Sequence, residues 1–206
     1  MLPRFGHGIC YFSHGGMLDA RRSSQKMNGA LEARSYKASA VLLDGSTVYI
    51  RAIRPDDHDR LLAHFRGLSA QSVLLRFHGA KRSLGEAELI HFTNLDFVTH
   101  VGLVATFGEA PEQPIIGVGR YIRCGLRADA ERAEVGFAIL DEHQGKGIGS
   151  ALLHHLAIIG KAHGIKEFQA DVLADNYQMI EVLEHSGFKL KRATTLGVSR
   201  LLLTIA

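Results

Sequence analysis

The chain has 206 residues, of which 46% are hydrophobic and 22% charged, a composition typical of one globular domain with its own core. Its formal net charge is +3, and no basic stripe is interleaved with aromatic residues, so the sequence carries no signature of nucleic-acid binding. No apolar run reaches the roughly 18 residues of a membrane helix, and the two cysteines, Cys10 and Cys124, have no metal-binding spacing, so we expect a cytoplasmic protein without nucleic-acid or membrane partners.

Residues 1–40 show no hydrophobic period and are rich in glycine, serine and arginine, which predicts a flexible N-terminal extension ahead of a domain at 41–206. Regular alternation begins at residues 47–53 and predicts the first strand. Pro55, followed by two acidic residues that complement the helix dipole, then marks the start of a helix. The apolar face of that helix consists of Leu61, Leu62, Phe65 and Leu68.

Two further helices are predicted before the next strand. One contains residues 73–77, and the other begins at a capping box in which Ser83 and Glu86 can each satisfy an unpaired amide. The remaining predicted elements are, in chain order, strands at 101–107, 115–123 and 134–140, a helix from about 149 to 163 ended by Gly164, a strand at 166–173, a helix at 176–185, and strands at 188–192 and 199–205. This order predicts an α/β (α+β) fold with a mixed central sheet of about six to seven strands flanked by helices.

The most informative segment is the strand at 134–140, which leads through a glycine-rich turn at 144–150 directly into a helix. Such a turn aims unpaired backbone amides and the positive end of the helix dipole at one point, which suits a pyrophosphate. Gly147 and Gly149 let the backbone approach the phosphates closely, and Lys146 adds a positive charge. The turn is not a Walker A loop, because no hydroxyl residue follows Lys146, and it lacks the three spaced glycines of a dinucleotide fingerprint. An ordinary tight turn is the alternative that this segment alone leaves open.

The spacing Gln144-x-x-Gly147-x-Gly149 after such a strand resembles the acetyl-CoA signature of the GNAT family of N-acetyltransferases. Downstream, Asn176 and the run at 184–188 are similar to the family's last helix and its exit into a strand. The resemblance implies the GNAT fold with its glycine-rich strand–loop–helix cofactor site. It also implies acetyl-CoA as the co-substrate and transfer of an acetyl group to an amine.

The segment from Leu68 to Asp96 resembles, more narrowly, the GNAT domain of bacterial protein lysine acetyltransferases. This resemblance implies that the acceptor is a lysine side chain of a protein, with an acyl-CoA synthetase as the first candidate. It also implies that exposed residues of the segment, such as Arg76 and Arg82, contact that acceptor. Two alternatives stay open: a small-molecule amine as the acceptor, and a non-catalytic acyl-CoA sensor that keeps the fold without turnover.

Glu134 is the candidate general base, because the resemblance puts the family's catalytic glutamate at the start of the strand that leads to the turn. A lysine amine, with a free pKa of roughly 10.4, must lose a proton before it attacks a thioester, and a carboxylate with a raised pKa can accept that proton. A surface carboxylate at a strand end is the alternative. The tyrosine that many family members use as a general acid corresponds to Leu183 here, so we predict no general acid.

The predicted cofactor contacts lie on the strand, in the turn and at the start of the last helix. The pantetheine arm is expected to bind along the strand like an added strand, through backbone hydrogen bonds. The predicted contacts are Phe137, Ala138 and Ile139 on the strand, Gln144, Gly145, Lys146, Gly147, Ile148, Gly149 and Ser150 in the turn, and Asn176. No metal site is predicted, because the twelve histidines include no His-Glu-x-x-His motif and no Cys/His pairing.

Overall fold

The structure, a computed structural model, describes residues 32–125 and 130–206. Its strands are β1 (Lys37–Val41), β2 (Thr47–Ala52), β3 (His100–Thr106), β4 (Gly117–Arg123), β5 (Arg132–Ile139), β6 (Glu167–Leu173), β7 (Lys189–Thr195) and β8 (Val198–Thr204). Its α-helices are α1 (His58–Gly67), α2 (Ala70–Phe77), α3 (Glu86–Thr93), α4 (Ile148–Ala162) and α5 (Tyr177–Glu184). Within these two ranges, no helix combines the length and the apolarity needed to cross a membrane.

The strands form one mixed sheet of eight in the order β1-β2-β3-β4-β5-β6-β8-β7. Every neighbouring pair is antiparallel except β5 and β6, which are parallel. The β5–β6 pairing starts at Arg132 opposite Glu167 and ends at Glu134 opposite Gln169, although β5 continues to Ile139. The sheet therefore opens between β5 and β6 beyond Glu134, and we call this opening the β5–β6 gap.

Different helices cover the two faces of the sheet, and the side chains of β4 alternate between them. A Cβ atom added at Gly117 or Gly119 would lie 3.4 Å and 3.2 Å, respectively, from Leu152 of α4. These glycines therefore let α4 pack closely on one face. On the opposite face, Val118 and Arg120 line a space that α1, α2 and α3 close. The helices that follow β2 thus lie on one side of the sheet, and the helix that follows the glycine-rich turn lies on the other.

Helix α4 carries much of the core and ends as the sequence predicts. Gly164 has a φ of +79°, a conformation that glycine adopts without steric cost. The N–H of Ile165 donates to the carbonyl of Gly160 at 2.8 Å, and the N–H of Gly164 donates to that of Lys161 at 3.0 Å. These bonds confirm the predicted C-cap. The side chains that α4 buries to 1% exposure or less are Ile148, Leu152, Leu153, Leu156 and Ile159.

Asp57, which is 0% exposed, anchors the start of α1 to β2. Its carboxylate accepts hydrogen bonds from both terminal nitrogens of Arg51 on β2, at 2.6 and 2.7 Å, and from the backbone N–H of Arg54 at 2.8 Å. Arg60, one turn into α1, forms a second ion pair with the same carboxylate. Because a buried charge is tolerated only when it is paired and hydrogen-bonded, this cluster fixes the helical layer relative to the sheet.

The structure has one strand more than the six to seven predicted, and the additional strand is β1 (Lys37–Val41). Its apolar positions facing the core are small, Ala38 and Ala40, so the sequence shows no strong alternation there. Pairing with β2 along its whole length defines it as a strand. The predicted boundary between residues 40 and 41 falls inside β1, whereas residues 1–31 of the predicted flexible extension lie outside the described residues.

The start of α3 also differs from the prediction. The helix begins at Glu86, so Ser83 is not its N-cap, and the predicted capping box with Glu86 does not form. Glu88 takes that part instead, because its carboxylate accepts a hydrogen bond from the N–H of Gly85 at 3.0 Å. As predicted, a glutamate accepts a hydrogen bond from an amide three residues earlier. The pair is Gly85 and Glu88, however, two residues later in the chain than the predicted pair.

Candidate active site

The β5–β6 gap exposes one edge of β5. The N–H of Leu140 donates to the carbonyl of Ile116, next to the start of β4, at 3.0 Å. Because hydrogen-bonding direction alternates along a strand, the backbone groups of Phe137 and Ile139 point away from β4 and toward the gap. The side chain of Phe137 is buried, 4% exposed, so only its backbone can bind a ligand there. This edge can accept an extended ligand as an added strand.

The turn after β5 forms a cradle of amides. Gly145 and Gly147 have φ angles of +71° and +95°, which favour glycine at both positions. The first helical hydrogen bond of α4 runs from the N–H of Ala151 to the carbonyl of Gly147. Among the described residues, none accepts a hydrogen bond from the amides of residues 145–150. These amides and the positive end of α4 are therefore available to an anion such as a pyrophosphate.

Gln144 connects this cradle to β5 and to α2. Its side-chain nitrogen donates to the carbonyl of Ile139 and to the hydroxyl of Ser72, both at 3.1 Å. The Ile139 carbonyl is thus partnered within the chain. Gln144 therefore holds the end of β5 and the start of the turn together, and the cofactor contact that the sequence predicts for it stays a prediction.

Asp141 is a further residue of the site, and no motif in the sequence singles it out. Its carboxylate accepts hydrogen bonds from the hydroxyl of Ser69 at 2.6 Å, from the N–H of Ser69 at 3.0 Å and from the hydroxyl of Ser72 at 2.9 Å. Ser69 also caps α2, accepting from the N–H of Ser72 at 3.1 Å. The two serines, three residues apart before an apolar run, are the signal in the sequence for this cap. The contact joins the acceptor-side helix α2 to the entry of the glycine-rich turn.

The other predicted cofactor contacts differ in which of their atoms remain available to a ligand. The backbone carbonyl of Lys146 accepts a hydrogen bond from the N–H of Leu43 at 3.1 Å. The side-chain ammonium of Lys146 lies 3.5 Å from a ring nitrogen of His143. The side chain of Ile148 is buried, so only its amide faces the cradle. Asn176 caps α5, since its side-chain oxygen accepts from the N–H of Met179 at 3.2 Å. A cofactor contact by Asn176 would therefore use its amide nitrogen.

Glu134 lies where the β5–β6 pairing ends, at the mouth of the gap. The residue is exposed to solvent, yet partial desolvation of its carboxylate raises the pKa of Glu134 above the usual glutamate value. The positive charge of Arg76 lowers that pKa, and the negative charge of Asp171 raises it further. A carboxylate that is reachable from solvent and has a raised pKa suits a general base.

A cavity of about 40 Å³ lies beside Glu134, between the sheet and helices α1 to α3. Gly136 and Ala138, on the same face of β5 as Glu134, form its floor. The guanidinium carbon of Arg76 lies 3.1 Å from the place that a Cβ atom of Gly136 would take. Arg76 is therefore half-buried over β5, and the expectation that it is exposed is wrong, whereas Arg82 is exposed as expected.

Residues 78–188 match the profile of the acetyltransferase (GNAT) family. The chain belongs to the GNAT acetyltransferase family. Over 143 residues it is 32% identical to Acetyltransferase Pat of Mycolicibacterium smegmatis (strain ATCC 700084 / mc(2)155), an alignment that covers 69% of this chain and 41% of that protein. The chain thus matches about two fifths of the length of this relative.

Solved structures agree with this membership. The GNAT domain of S. lividans PAT is 38% identical, with a TM-score of 0.75 over 82% of this chain and 96% of that domain. The fold is also that of yncA from Salmonella typhimurium, solved with its cofactor acetyl-CoA, at 18% identity and a TM-score of 0.59 over 77% of this chain and 94% of that one. The chain thus has both the family and the fold of the GNAT acetyltransferases.

Helix α5 has no tyrosine at the position where the resemblance noted in the sequence would put a general acid. Leu183 stands there and is 0% exposed. Tyr177, one turn and a half earlier, is 75% exposed and lies at the N-terminus of α5. Within the described ranges, no group of three or more His, Cys, Asp or Glu side chains is arranged to hold a metal ion.

Replacing Gly147 by alanine is expected to weaken CoA binding to this acetyltransferase at least tenfold, or about 1.4 kcal/mol. A residue with a side chain rarely adopts the φ of +95° that Gly147 has. The turn of the variant should therefore change its backbone conformation and move the free amides away from the pyrophosphate. The added Cβ atom itself has room, since its nearest neighbour would be Leu43 at 3.5 Å. Isothermal titration calorimetry measures the effect.

Gly164→Ala is the matched control for Gly147→Ala. Gly164 lies beyond the other end of α4, has a φ of +79° and would place its Cβ atom more than 4 Å from any other group. The control carries the same kind of backbone strain away from the cradle, so its affinity for CoA should equal that of the wild type. Unchanged affinity in folded Gly147→Ala, or an equal loss in both variants, would contradict binding at the cradle.

Proposed function

We propose that this enzyme transfers the acetyl group of acetyl-CoA to lysine side chains of proteins, with Glu134 as the general base. One observation carries the proposal: Glu134 is an exposed carboxylate with a raised pKa at the mouth of the β5–β6 gap, directly beside the unpaired edge of β5. An acceptor as large as a folded protein can reach a base in that position. The 38% identity to the GNAT domain of S. lividans PAT supports the choice of acceptor.

The residues present fit an acyl-CoA. The amides of residues 145–150 have no acceptor among the described residues and lie at the start of α4, which suits the pyrophosphate, and the edge of β5 at Phe137 suits the pantetheine arm. Acetyl-CoA supplies the activated thioester. With the thioester carbonyl beside β5, Glu134 on the same strand lies within a few residues of the reacting carbon, because strand residues are spaced about 3.3 Å apart.

The reaction then needs only one proton acceptor from the chain. Glu134 accepts a proton from the acceptor ammonium, directly or through a water molecule, and the neutral amine nitrogen attacks the thioester carbonyl. A carbon–nitrogen bond forms, which leaves a positive charge on the nitrogen and a negative charge on the former carbonyl oxygen. A backbone N–H of β5 that faces the gap stabilises the oxyanion of the tetrahedral intermediate. The carbon–sulfur bond then breaks, the nitrogen releases its extra proton, and the departing thiolate takes that proton or one from solvent, since Leu183 has none to give.

The charges around Glu134 support its role as a base. Partial desolvation raises the pKa of Glu134, the guanidinium of Arg76 lowers it, and Asp171 raises it. Asp171 is itself held by Arg200 through two hydrogen bonds at 2.8 Å. Asp171 thus raises the pKa of Glu134 and Arg200 partly offsets it, and the balance of desolvation and these charges leaves that pKa above the usual glutamate value.

A second candidate acceptor is a small amine that carries a carboxylate. The two arginines of the cavity beside Glu134, Arg76 and Arg120, favour this acceptor. A lysine side chain of a protein brings no anion of its own into such a cavity.

Acetylation of a panel of acceptors distinguishes the two. The wild-type enzyme would be incubated with acetyl-CoA and either a folded acyl-CoA synthetase, a mixture of amino acids or a polyamine, and the products identified by mass spectrometry. We expect acetyl-lysine on the synthetase well above the enzyme-free background. Acetylation of a small amine, with no protein modified above that background, would contradict the proposal and favour the second acceptor.

A further inference from the structure

Two arginines share the cavity between β4, β5 and the helical layer. Arg120 on β4 pairs directly opposite Gly136 on β5. Because Gly136 has no side chain, the guanidinium of Arg76 occupies the space above it, 3.1 Å from the place of the absent Cβ atom. The guanidinium of Arg120 lies over the ring of Phe92, with 4.1 Å between the guanidinium carbon and the ring centroid. Both cations thus face one small volume beside Glu134.

Apart from His64, the rest of the lining is apolar, which makes the two positive charges costly. The other lining side chains include Leu61, Phe65, Leu68, Phe77, Leu84 and Phe92. Among the described residues, neither Arg76 nor Arg120 forms an ion pair at hydrogen-bonding distance, and one terminal nitrogen of Arg120 is buried without any hydrogen-bond partner. A buried cation without a counter-ion is strongly unfavourable. The cavity therefore has a place for an anion that pairs directly with the two guanidinium groups, since Glu134 acts on Arg76 only through its charge and without a hydrogen bond.

The nearby histidines and acids do not supply it. Burial lowers the pKa of His64 to about 4 and that of His100 to about 3, so both rings are neutral at physiological pH. Among the described residues, Glu134 is the carboxylate whose charge acts on Arg76. The charge that acts on Arg120 is the positive charge of Arg76, which repels it. Burial, together with that repulsion, lowers the pKa of Arg120 to about 9.

We infer that the cavity between Arg76 and Arg120 binds a carboxylate of a substrate. A planar guanidinium matches a carboxylate through two parallel hydrogen bonds, and two of them bind it more strongly than a single lysine would. The volume of about 40 Å³ admits a group of this size, being of the order of one or two water molecules. The inference rests on the proposed function, which puts acyl transfer at Glu134.

The carboxylate can come from either substrate. Gly136 follows Glu134 by two residues on the same face of β5, a distance of roughly 7 Å. A carboxylate in the cavity can therefore belong to either molecule that meets at the reacting carbon, the acyl donor or the acceptor amine. The carboxylate is either the free end of a dicarboxylic acyl group carried by CoA or the carboxylate of a small acceptor amine. The chemistry of recognition is the same in both cases, and two arms of one experiment tell them apart.

The donor arm compares succinyl-CoA with butyryl-CoA, whose acyl chains have equal length and differ in one terminal carboxylate. Their dissociation constants are measured by calorimetry and their kcat/KM values with one amine acceptor. The acceptor arm compares L-lysine with cadaverine, which lacks the carboxylate, at saturating acetyl-CoA. We expect the wild-type enzyme to prefer the carboxylate-bearing member at least tenfold in one of the arms, and that arm identifies the source.

Arg120→Met is the decisive variant, because methionine keeps an unbranched apolar chain against Phe92 and removes the charge. The preference ratio in the responding arm should fall to about one, whatever the absolute rates are. Arg120→Lys keeps the positive charge but loses the planar guanidinium, so its preference ratio should lie between that of the wild type and one. This variant tests the inference even if Arg120→Met does not fold. No preference in either arm, or the same ratio in wild type and a folded Arg120→Met, would overturn the inference.

Failure of this inference is distinct from failure of the proposed function. An enzyme that acetylates protein lysines without any carboxylate preference keeps the proposed function and loses the carboxylate site. An enzyme with a carboxylate preference that depends on Arg120, but without protein modification, keeps the carboxylate site and loses the protein acceptor.

Discussion

Replacing Glu134 by glutamine is expected to lower kcat roughly 100-fold or more while the dissociation constant for CoA stays near that of the wild type. Glutamine keeps the shape of the side chain but cannot accept the amine proton. The cradle at residues 145–150 lies at the far end of β5 and is untouched by the change. Steady-state kinetics with a thiol-release assay, together with calorimetry, separate the two quantities.

The pH dependence adds a second readout for the base. Desolvation raises the pKa of Glu134 above its usual value, so the wild-type rate should rise with pH through that elevated pKa, as the carboxylate becomes able to accept a proton. Glu134→Gln should lack this limb. Glu131→Gln is the matched control, because Glu131 is exposed at 59% and paired with Lys166, and its profile should equal that of the wild type. The same pH profile in Glu134→Gln and wild type would contradict the assignment.

Replacing Asp57 by asparagine is expected to lower the free energy of unfolding by about 3 kcal/mol or more. The substitution leaves Arg51 and Arg60 facing each other, with side chains only 13% and 18% exposed, and without the carboxylate that pairs them. Urea denaturation measures the change as a lower midpoint at constant slope. Asp56→Asn is the control, since Asp56 is 67% exposed and pairs with Arg54 at the surface, where such a pair contributes about 0–1 kcal/mol.

The stabilisation by Asp57 should depend on pH in one direction. Burial by itself would raise the pKa of Asp57, but the hydrogen bonds and charge of Arg51 bring it below the usual aspartate value. A depressed pKa in the folded state means that the stabilisation is present above the unfolded-state pKa of about 3.9 and is lost as the pH falls through the lower folded-state value. The difference between wild type and Asp57→Asn should therefore shrink in acid. A loss no larger than that of Asp56→Asn at neutral pH would contradict the buried ion-pair account.

The sequence predicts the elements whose signals are local. The glycine spacing at 144–150 predicts the turn, since a positive φ at Gly147 and the start of α4 are decided within a few residues. Gly164 ends α4 for the same reason. The alternation along β5 puts Glu134 on one face and Phe137 on the other, as burial shows.

What the sequence does not predict depends on contacts between distant segments. Strand β1 has only small apolar residues, and its pairing with β2 makes it a strand. Asp141 acquires its role from serines about 70 residues earlier in the chain, and Arg76 is half-buried because Gly136, on another element, leaves room for it. The catalytic and cofactor-contact residues and the cytoplasmic location stay predictions until they are measured.

A crystal structure of the wild-type enzyme with acetyl-CoA tests the central claim most directly, because it shows at once where the pyrophosphate and the thioester lie. We expect the pyrophosphate on the amides of residues 145–150, the pantetheine arm along the β5 edge at Phe137, and the thioester carbonyl in the β5–β6 gap within reach of Glu134. Acetyl-CoA bound away from the cradle, or with its thioester on the opposite face of the sheet from Glu134, would contradict it.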